Sequence, residues 1–240
     1  MPTTKIIAAK SDLYNLKFTI TLERKTRNHF KKSTLRKSNL LILFLVGMTS
    51  AGFAQTVKIG TQIWMTQNID VDKFRNGDTI PQAKTDEEWQ KAANNQQPAW
   101  CYYKNETANG KKYGKLYNCY AVMDARGLAP TGYHIPSDDE WSTLITYLGD
   151  NDETGTKMKS TSGWNENGNG TNSIGFSGMP GGIRYSDGTF LHIGNYAYWW
   201  TSSEYITSGA FFHGLNYDSG IATGGEGTKN DGLSVRCIKD

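Results

Sequence analysis

Residues 57–69, VKIGTQIWMTQNI, alternate apolar and polar positions. Alternation puts one set of side chains on each face of a strand, so the stretch predicts two short strands joined by a turn at Gly60 and Thr61. Spacing then changes to that of a helix. Thr85 stands three positions before Glu88, the arrangement in which a hydroxyl caps the third helical amide and the carboxylate returns to the cap. This predicts a short helix reaching Ala93, with Trp89 as its buried anchor. The same signature recurs at Ser137 and Glu140. There Trp141, Leu144, Ile145 and Leu148 fall on one face, Pro136 sets the approach of the chain, and Gly149 ends the helix. Residues 100–104, 197–202, 210–217 and 233–238 are rich in aromatic and β-branched side chains and predict strands. From Pro180, PGGIRYSDGTF reads as a strand followed by a tight turn at Ser186, Asp187 and Gly188. Residues 149–177 are mostly Gly, Asn, Ser, Thr and Asp, too polar to bury much area, and predict a long surface loop anchored by Trp164. Short strands, two short helices and long loops make an α+β domain.

Residues 1–54 read differently. Arg24, Lys25, Arg27, Lys31, Lys32, Arg36 and Lys37 precede an apolar run over residues 40–46, and Gly52 and Ala54 stand where a signal peptidase requires small side chains. The pattern predicts a signal peptide and leader over 1–54, cleaved after Ala54, and one mature domain over 55–240. Residues 40–54 fall short of the roughly 20 that span a bilayer. No cysteine follows the run to carry a lipid. The protein is therefore expected to be exported, to the periplasm, the cell surface or the medium, without membrane insertion after cleavage.

Separating this segment reverses the sign of the charge. The whole chain carries +3, but 10 of its 26 Lys and Arg and only 2 of its 23 Asp and Glu lie in the first 54 residues. The remainder holds 16 basic and 21 acidic residues, a net charge of −5. Nucleic acids and anionic membranes favour basic surfaces, so neither is an expected partner. Neutral glycans and cations remain compatible. Three cysteines in an exported chain leave one unpaired if a disulfide forms. Cys119 sits among apolar neighbours and reads as a small core residue, whereas Cys101 and Cys237 lie in strand-like segments and are the pair expected to bridge; three reduced thiols are the alternative.

Two stretches offer binding chemistry. In WNENGNGTN, residues 164–172, Asn165, Glu166, Asn167 and Asn169 present the oxygen ligands that Ca²⁺ prefers, although the spaced carboxylates of an EF-hand are missing and an ordinary polar loop explains the stretch as well. No other cofactor is indicated. Tyr196, Tyr198, Trp199 and Trp200 precede Glu204, and Asn216, Tyr217 and Asp218 follow in a later strand and turn. Sugar rings stack on aromatic faces while amides and carboxylates receive their hydroxyls, so Trp164, Asn165, Trp200, Glu204, Asn216, Tyr217 and Asp218 form the candidate ligand-binding set. Adjacent Trp199 and Trp200 point to opposite faces of a strand, which assigns one of them to the core. Enzymatic chemistry is not expected. His134, His192 and His213 lack metal-ligand spacing, Ser137 serves as a cap, and Asp138, Asp139 and Glu140 suit the positive end of a helix. No pair of carboxylates is singled out for glycoside hydrolysis.

Four blocks follow one another: YGKLYNCYAVMDARGLAPTGYHIPSDDEW (113–141), GFSGMPGGIRYSDGTF (175–190), YAYWWTSSE (196–204) and GLSVRCIKD (232–240). In this order they resemble the Fibrobacter succinogenes major paralogous domain, a family of secreted and surface proteins of Bacteroidetes and Fibrobacter, over about residues 57–240. That family is similar to the C-type lectin-like fold, the scaffold also used by formylglycine-generating enzymes. The resemblance implies termini close together in one sheet, two flanking helices and a long loop region. It also implies a recognition module for a carbohydrate or a surface protein, or else a structural component of a surface or secreted assembly. Relatives often carry Trp at the position of Cys119, which agrees with a core role there. Formylglycine-generating activity would need a second cysteine near Cys237, and none is present.

Overall fold

A computed structural model describes residues 55–240; the expected leader and its cleavage point lie outside the described residues. The alternating stretch forms β1 (Thr56–Ile59) and β2 (Gln62–Met65), paired antiparallel with Val57 opposite Trp64. Gly60 makes the turn at φ +60°, a left-handed conformation that costs glycine nothing. Thr85 caps α1 (Asp86–Asn94): its hydroxyl accepts the Glu88 amide, and Glu88 accepts the Thr85 amide in return. β3 (Trp100–Cys101), α2 (Thr107–Tyr113), β4 (Leu116–Asn118), α3 (Cys119–Val122) and β5 (Tyr133–His134) follow. Ser137 then caps α4 (Asp138–Leu148) with the same reciprocal bonds, and the helix buries Trp141, Leu144, Ile145 and Leu148 before it ends at Gly149. Both long helices thus start where the capping boxes predict. α2, α3 and a third short segment, α5 (Thr154–Met158) within the polar stretch, were not anticipated.

The remaining strands are β6 (Ile183–Arg184), β7 (Phe190–Leu191), β8 (Tyr196–Ile206), β9 (Gly209–Asn216), β10 (Ala222–Thr228), β11 (Gly232–Leu233) and β12 (Ile238–Lys239). They assemble into three sheets with orders β1-β2-β12-β5, β10-β9-β8 and β3-β4-β11-β6-β7. All pairings between these strands are antiparallel. The architecture is α+β. Residues 233–238 do not make the single strand expected of them, because the chain leaves the five-stranded sheet after Leu233 and joins the four-stranded one at Ile238. In between, Ser234 exchanges backbone bonds with Tyr198 and Trp200, which ties β8 to the larger sheet.

β8 is a partition between two cores. Trp199 packs with Trp64, Trp141 and Phe176, while Trp200 packs with Tyr117, Leu233 and Val235, and both indoles are fully buried. One of the two was expected to face outward; instead both faces of the strand are covered at this level.

The expected Cys101–Cys237 disulfide is absent, and all three cysteines are free and buried. The reason lies in β4. Cys101 pairs with Leu116 and packs beside it and Trp89, whereas Cys237 packs in the cluster that holds Tyr117. Leu116 and Tyr117 are neighbours on one strand and point to opposite faces, so the two thiols lie in different packing layers. Burial pushes each thiol up to about 12, which keeps it protonated and unreactive. Dithiothreitol is accordingly expected to leave the melting temperature unchanged, and unfolding without reductant should expose three titratable thiols. A count of one would restore the disulfide.

Candidate functional site

The structure divides the predicted ligand-binding set. Trp164 is buried, with Nε1 donating to the Gly178 carbonyl and to Ser160 Oγ, both at 3.1 Å, so its ring pins the polar loop to the body. Trp200 is equally unavailable, donating from Nε1 to the Tyr117 carbonyl at 2.9 Å. Neither indole can serve as a platform, because strands β4 and β11 and the loop itself cover them. Glu204 stands apart and pairs with Lys229 at 2.5 Å. Asn165, Asn216 and Tyr217 do come together: Asn165 donates to Asn195 Oδ1 at 2.7 Å, and the Tyr217 amide donates to the Asn195 carbonyl at 2.8 Å. Asp218 is exposed beside them. Of the candidate Ca²⁺ ligands, Asn169 accepts the Trp164 amide, and Glu166 and Asn167 turn the loop with φ of +48° and +63°. The carbonyls of Asn216, Tyr217 and Ser219 all accept from the buried Lys159 ammonium, which orders this end of the molecule.

A different surface gathers the exposed aromatic rings. On β8, Tyr196, Tyr198 and Trp200 share one face, opposite Asn216, Gly214 and Phe212 of β9. On β10 the same face carries Thr223, Gly225 and Gly227. A Cβ at Gly214 would lie 3.1 Å from the Tyr198 ring, and one at Gly225 would lie 3.0 Å from Phe212. The rings therefore recline on bare backbone and expose a face that side chains at those positions would push upright. Tyr196 and Tyr198 stack at 5.5 Å and 5°, Tyr198 meets Phe212 edge-on at 5.4 Å, and His192 meets Tyr196 at 4.9 Å. With Tyr185 they make a half-buried shelf. It leads into a 170 Å³ pocket between Tyr185, Tyr198 and Phe212, closed below by Trp200 and Leu233 and bounded by Glu226 and Asp231.

The shelf joins Tyr185 of the second block and Tyr196 and Tyr198 of the third to His192 and Phe212, which lie between blocks, and a family comparison spans them all: the profile described as Fibrobacter succinogenes major domain matches residues 57–239. The chain belongs to this family. Comparison with curated proteins and with solved structures finds no match. The matched Fibrobacter succinogenes major domain runs from β1 to β12, so every residue of the shelf lies within it.

The electrostatics of the shelf in this Fibrobacter succinogenes major domain are simple. Burial holds the Tyr198 phenol well above its usual range and keeps His192 below its own, so both are neutral near pH 7. Burial also raises Asp231 to about 6, against the stabilising bond its carboxylate accepts from the Ser186 amide at 2.9 Å. Its charge therefore appears only above mildly acidic pH. The shelf is thus a neutral aromatic surface with the Asp231 carboxylate at one end and the amides of Asn165, Asn195 and Asn216 at the other. The other histidines tie elements together: His213 stacks on Trp141 and bonds Asp138 at 2.9 Å, and His134 bridges Glu140 and Asp240. A larger open groove of 790 Å³ beside α4 offers only one ring, Tyr147.

Tyr185, His192, Phe212, Glu226 and Asp231 were missed as site residues. One signal was readable: Tyr196 and Tyr198 alternate on a strand while Gly214, Gly225 and Gly227 leave space for rings to lie flat.

Proposed function

We propose that this domain is an exported, non-enzymatic recognition module that binds neutral carbohydrate on the aromatic shelf. The observation that carries this reading is the half-exposed set of Tyr196, Tyr198 and Phe212, the last two lying over Gly214 and Gly225, beside a pocket edged by Asp231. Flat rings suit the apolar faces of sugars, and Asp231 and Asn216 supply acceptors for hydroxyls. The Asp231 carboxylate disfavours acidic ligands at this place. The basic and apolar pattern of residues 1–54 supports export, and the pairing of both β1 and β12 with β2 supports a C-type lectin-like scaffold with its termini together. A structural role in a surface assembly is the second reading, favoured by the burial of Trp164 and Trp200 and by exposed Tyr205 and Ile206 near the β8–β9 turn.

A glycan array probed with the protein, with Ca²⁺ and with a chelator, separates these readings. Binding to neutral glycans should weaken roughly tenfold in Tyr198→Ala, about 1.4 kcal/mol, while the variant stays folded. Loss of binding with chelator would show that binding needs a divalent cation, for which the Asn165 to Asn169 loop is the candidate site. No binding to any neutral glycan, or full binding by a folded Tyr198→Ala protein, would transfer the assignment to the structural role.

A further inference from the structure

We propose that a second cleft, floored by Arg236, binds the carboxylate of an acidic sugar such as a uronic acid. The cleft has a volume of 350 Å³ and lies between residues 66–70, the C-terminal turn of α2 and the Ser177–Met179 segment. That size is at the small end of ligand sites, adequate for one sugar unit.

Arg236 is 1 % exposed and charged, yet no Asp or Glu among the described residues lies within ion-pairing distance of it. Its guanidinium stacks on Phe176 at 4.3 Å and faces Trp199 at 5.5 Å. Its hydrogen bonds go to neutral oxygens only: Nε and Nη2 donate to Asn68 Oδ1 at 3.2 and 2.8 Å, and Nη1 donates to the Phe176 carbonyl. A guanidinium has five N–H groups, so two remain. A buried charge without a counter-ion is costly, and burial draws Arg236 down to about 9. Arg184, the other fully buried arginine, shows the usual solution, since Asp86 meets it at 2.9 Å. The missing counter-ion at Arg236 is what a bound carboxylate supplies.

The rim repeats the charge. Lys111 and Lys112 are exposed and make no salt bridge among the described residues, and Lys112 Nζ stands 4.8 Å over the ring of Tyr113, which walls the cleft. Asp70 is the one carboxylate of the lining, and Lys115 neutralises it at 2.6 Å. A basic cleft on an acidic domain concentrates anions locally. A carboxylate matches the planar guanidinium fork, and Thr66, Gln67 and Ser177 supply partners for ring hydroxyls. The inference does not rest on the aromatic shelf, which is built from other elements and repels the same ligand.

Titration calorimetry of the full chain with glucuronate, glucose and glucose 6-sulfate tests it. Glucuronate should bind saturably where glucose does not, and the Lys111→Gln/Lys112→Gln double variant should bind it at least fivefold more weakly. Arg236→Lys should abolish binding; should that variant fail to fold, the double variant carries the test, because both its sites are on the surface. Equal binding of glucose and glucuronate, or undiminished binding by the double variant, would overturn the proposal. Tighter binding of glucose 6-sulfate would overturn the choice of a carboxylate. Tyr198→Ala should leave glucuronate binding unchanged, which separates this outcome from that of the shelf.

Discussion

Arg184→Ala is expected to destabilise the protein by about 4 kcal/mol, a large share of the 5–15 kcal/mol typical of a whole domain. The side chain is fully buried and donates to the Gly188, Ala83 and Thr85 carbonyls and to Asp86 Oδ1. Its guanidinium lies between the rings of Trp89 and Phe190, 4.9 and 4.6 Å from their centroids. Truncation leaves the Ala83 and Gly188 carbonyls without that donor in a dry environment, at about 1–3 kcal/mol each, and removes both ring contacts. One side chain thus holds α1, the Ser186–Gly188 turn and the five-stranded sheet together. Arg184→Lys keeps the charge but loses the fork, and should recover less than half of the loss. Urea unfolding measures both; a shift below about 1 kcal/mol for Arg184→Ala would show that desolvation of the buried cation already cancels its bonds.

Trp200→Ala is expected to cost about 3–5 kcal/mol, whereas Tyr198→Ala, two residues earlier on the same face of β8, should cost about 1 kcal/mol. The contrast follows from cover. Trp200 is fully buried against Tyr117, Leu233 and Val235 and donates to the Tyr117 carbonyl, while Tyr198 is half-exposed on the shelf. The alanine at position 200 would open a cavity and leave a carbonyl without its donor. Thermal melts that shift equally for the two variants would mean that the partition formed by β8 does not exist in solution.

What could be read from the sequence follows the range of the interactions concerned. The Thr85 and Ser137 capping boxes, the Gly60 turn and the Ser186–Gly188 turn involve residues within four positions of one another, and all formed as expected. Trp164 was correctly placed as the anchor of the polar loop. The burial of Trp200 depends on β4 and β11, segments tens of residues away, which no local pattern reports. The disulfide expectation failed for a related reason: two cysteines in strand-like segments carry no mark of which side of β4 each will occupy. β10, with sequence ATGGEGT, was not among the expected strands, since glycine weakens strands, yet its glycines are what the neighbouring rings require. The shelf was half legible, since Tyr196 and Tyr198 stood out, but their partners come from the segments just after β6 and β7, from β9 and from the turn before β11.

The four-stranded sheet also bears on mechanics. β1 and β12 both pair antiparallel with β2, so they run parallel to each other, with Val57 and Ile238 both opposite Trp64. The two ends of the domain thus lie about 10 Å apart, two strand spacings, and point in opposite directions along one axis. Tension applied through the flanking chain would load the β1 and β12 ladders in shear, with all their hydrogen bonds strained together, and would not peel them one at a time. That geometry places the resistance to such a pull in β1, β2 and β12.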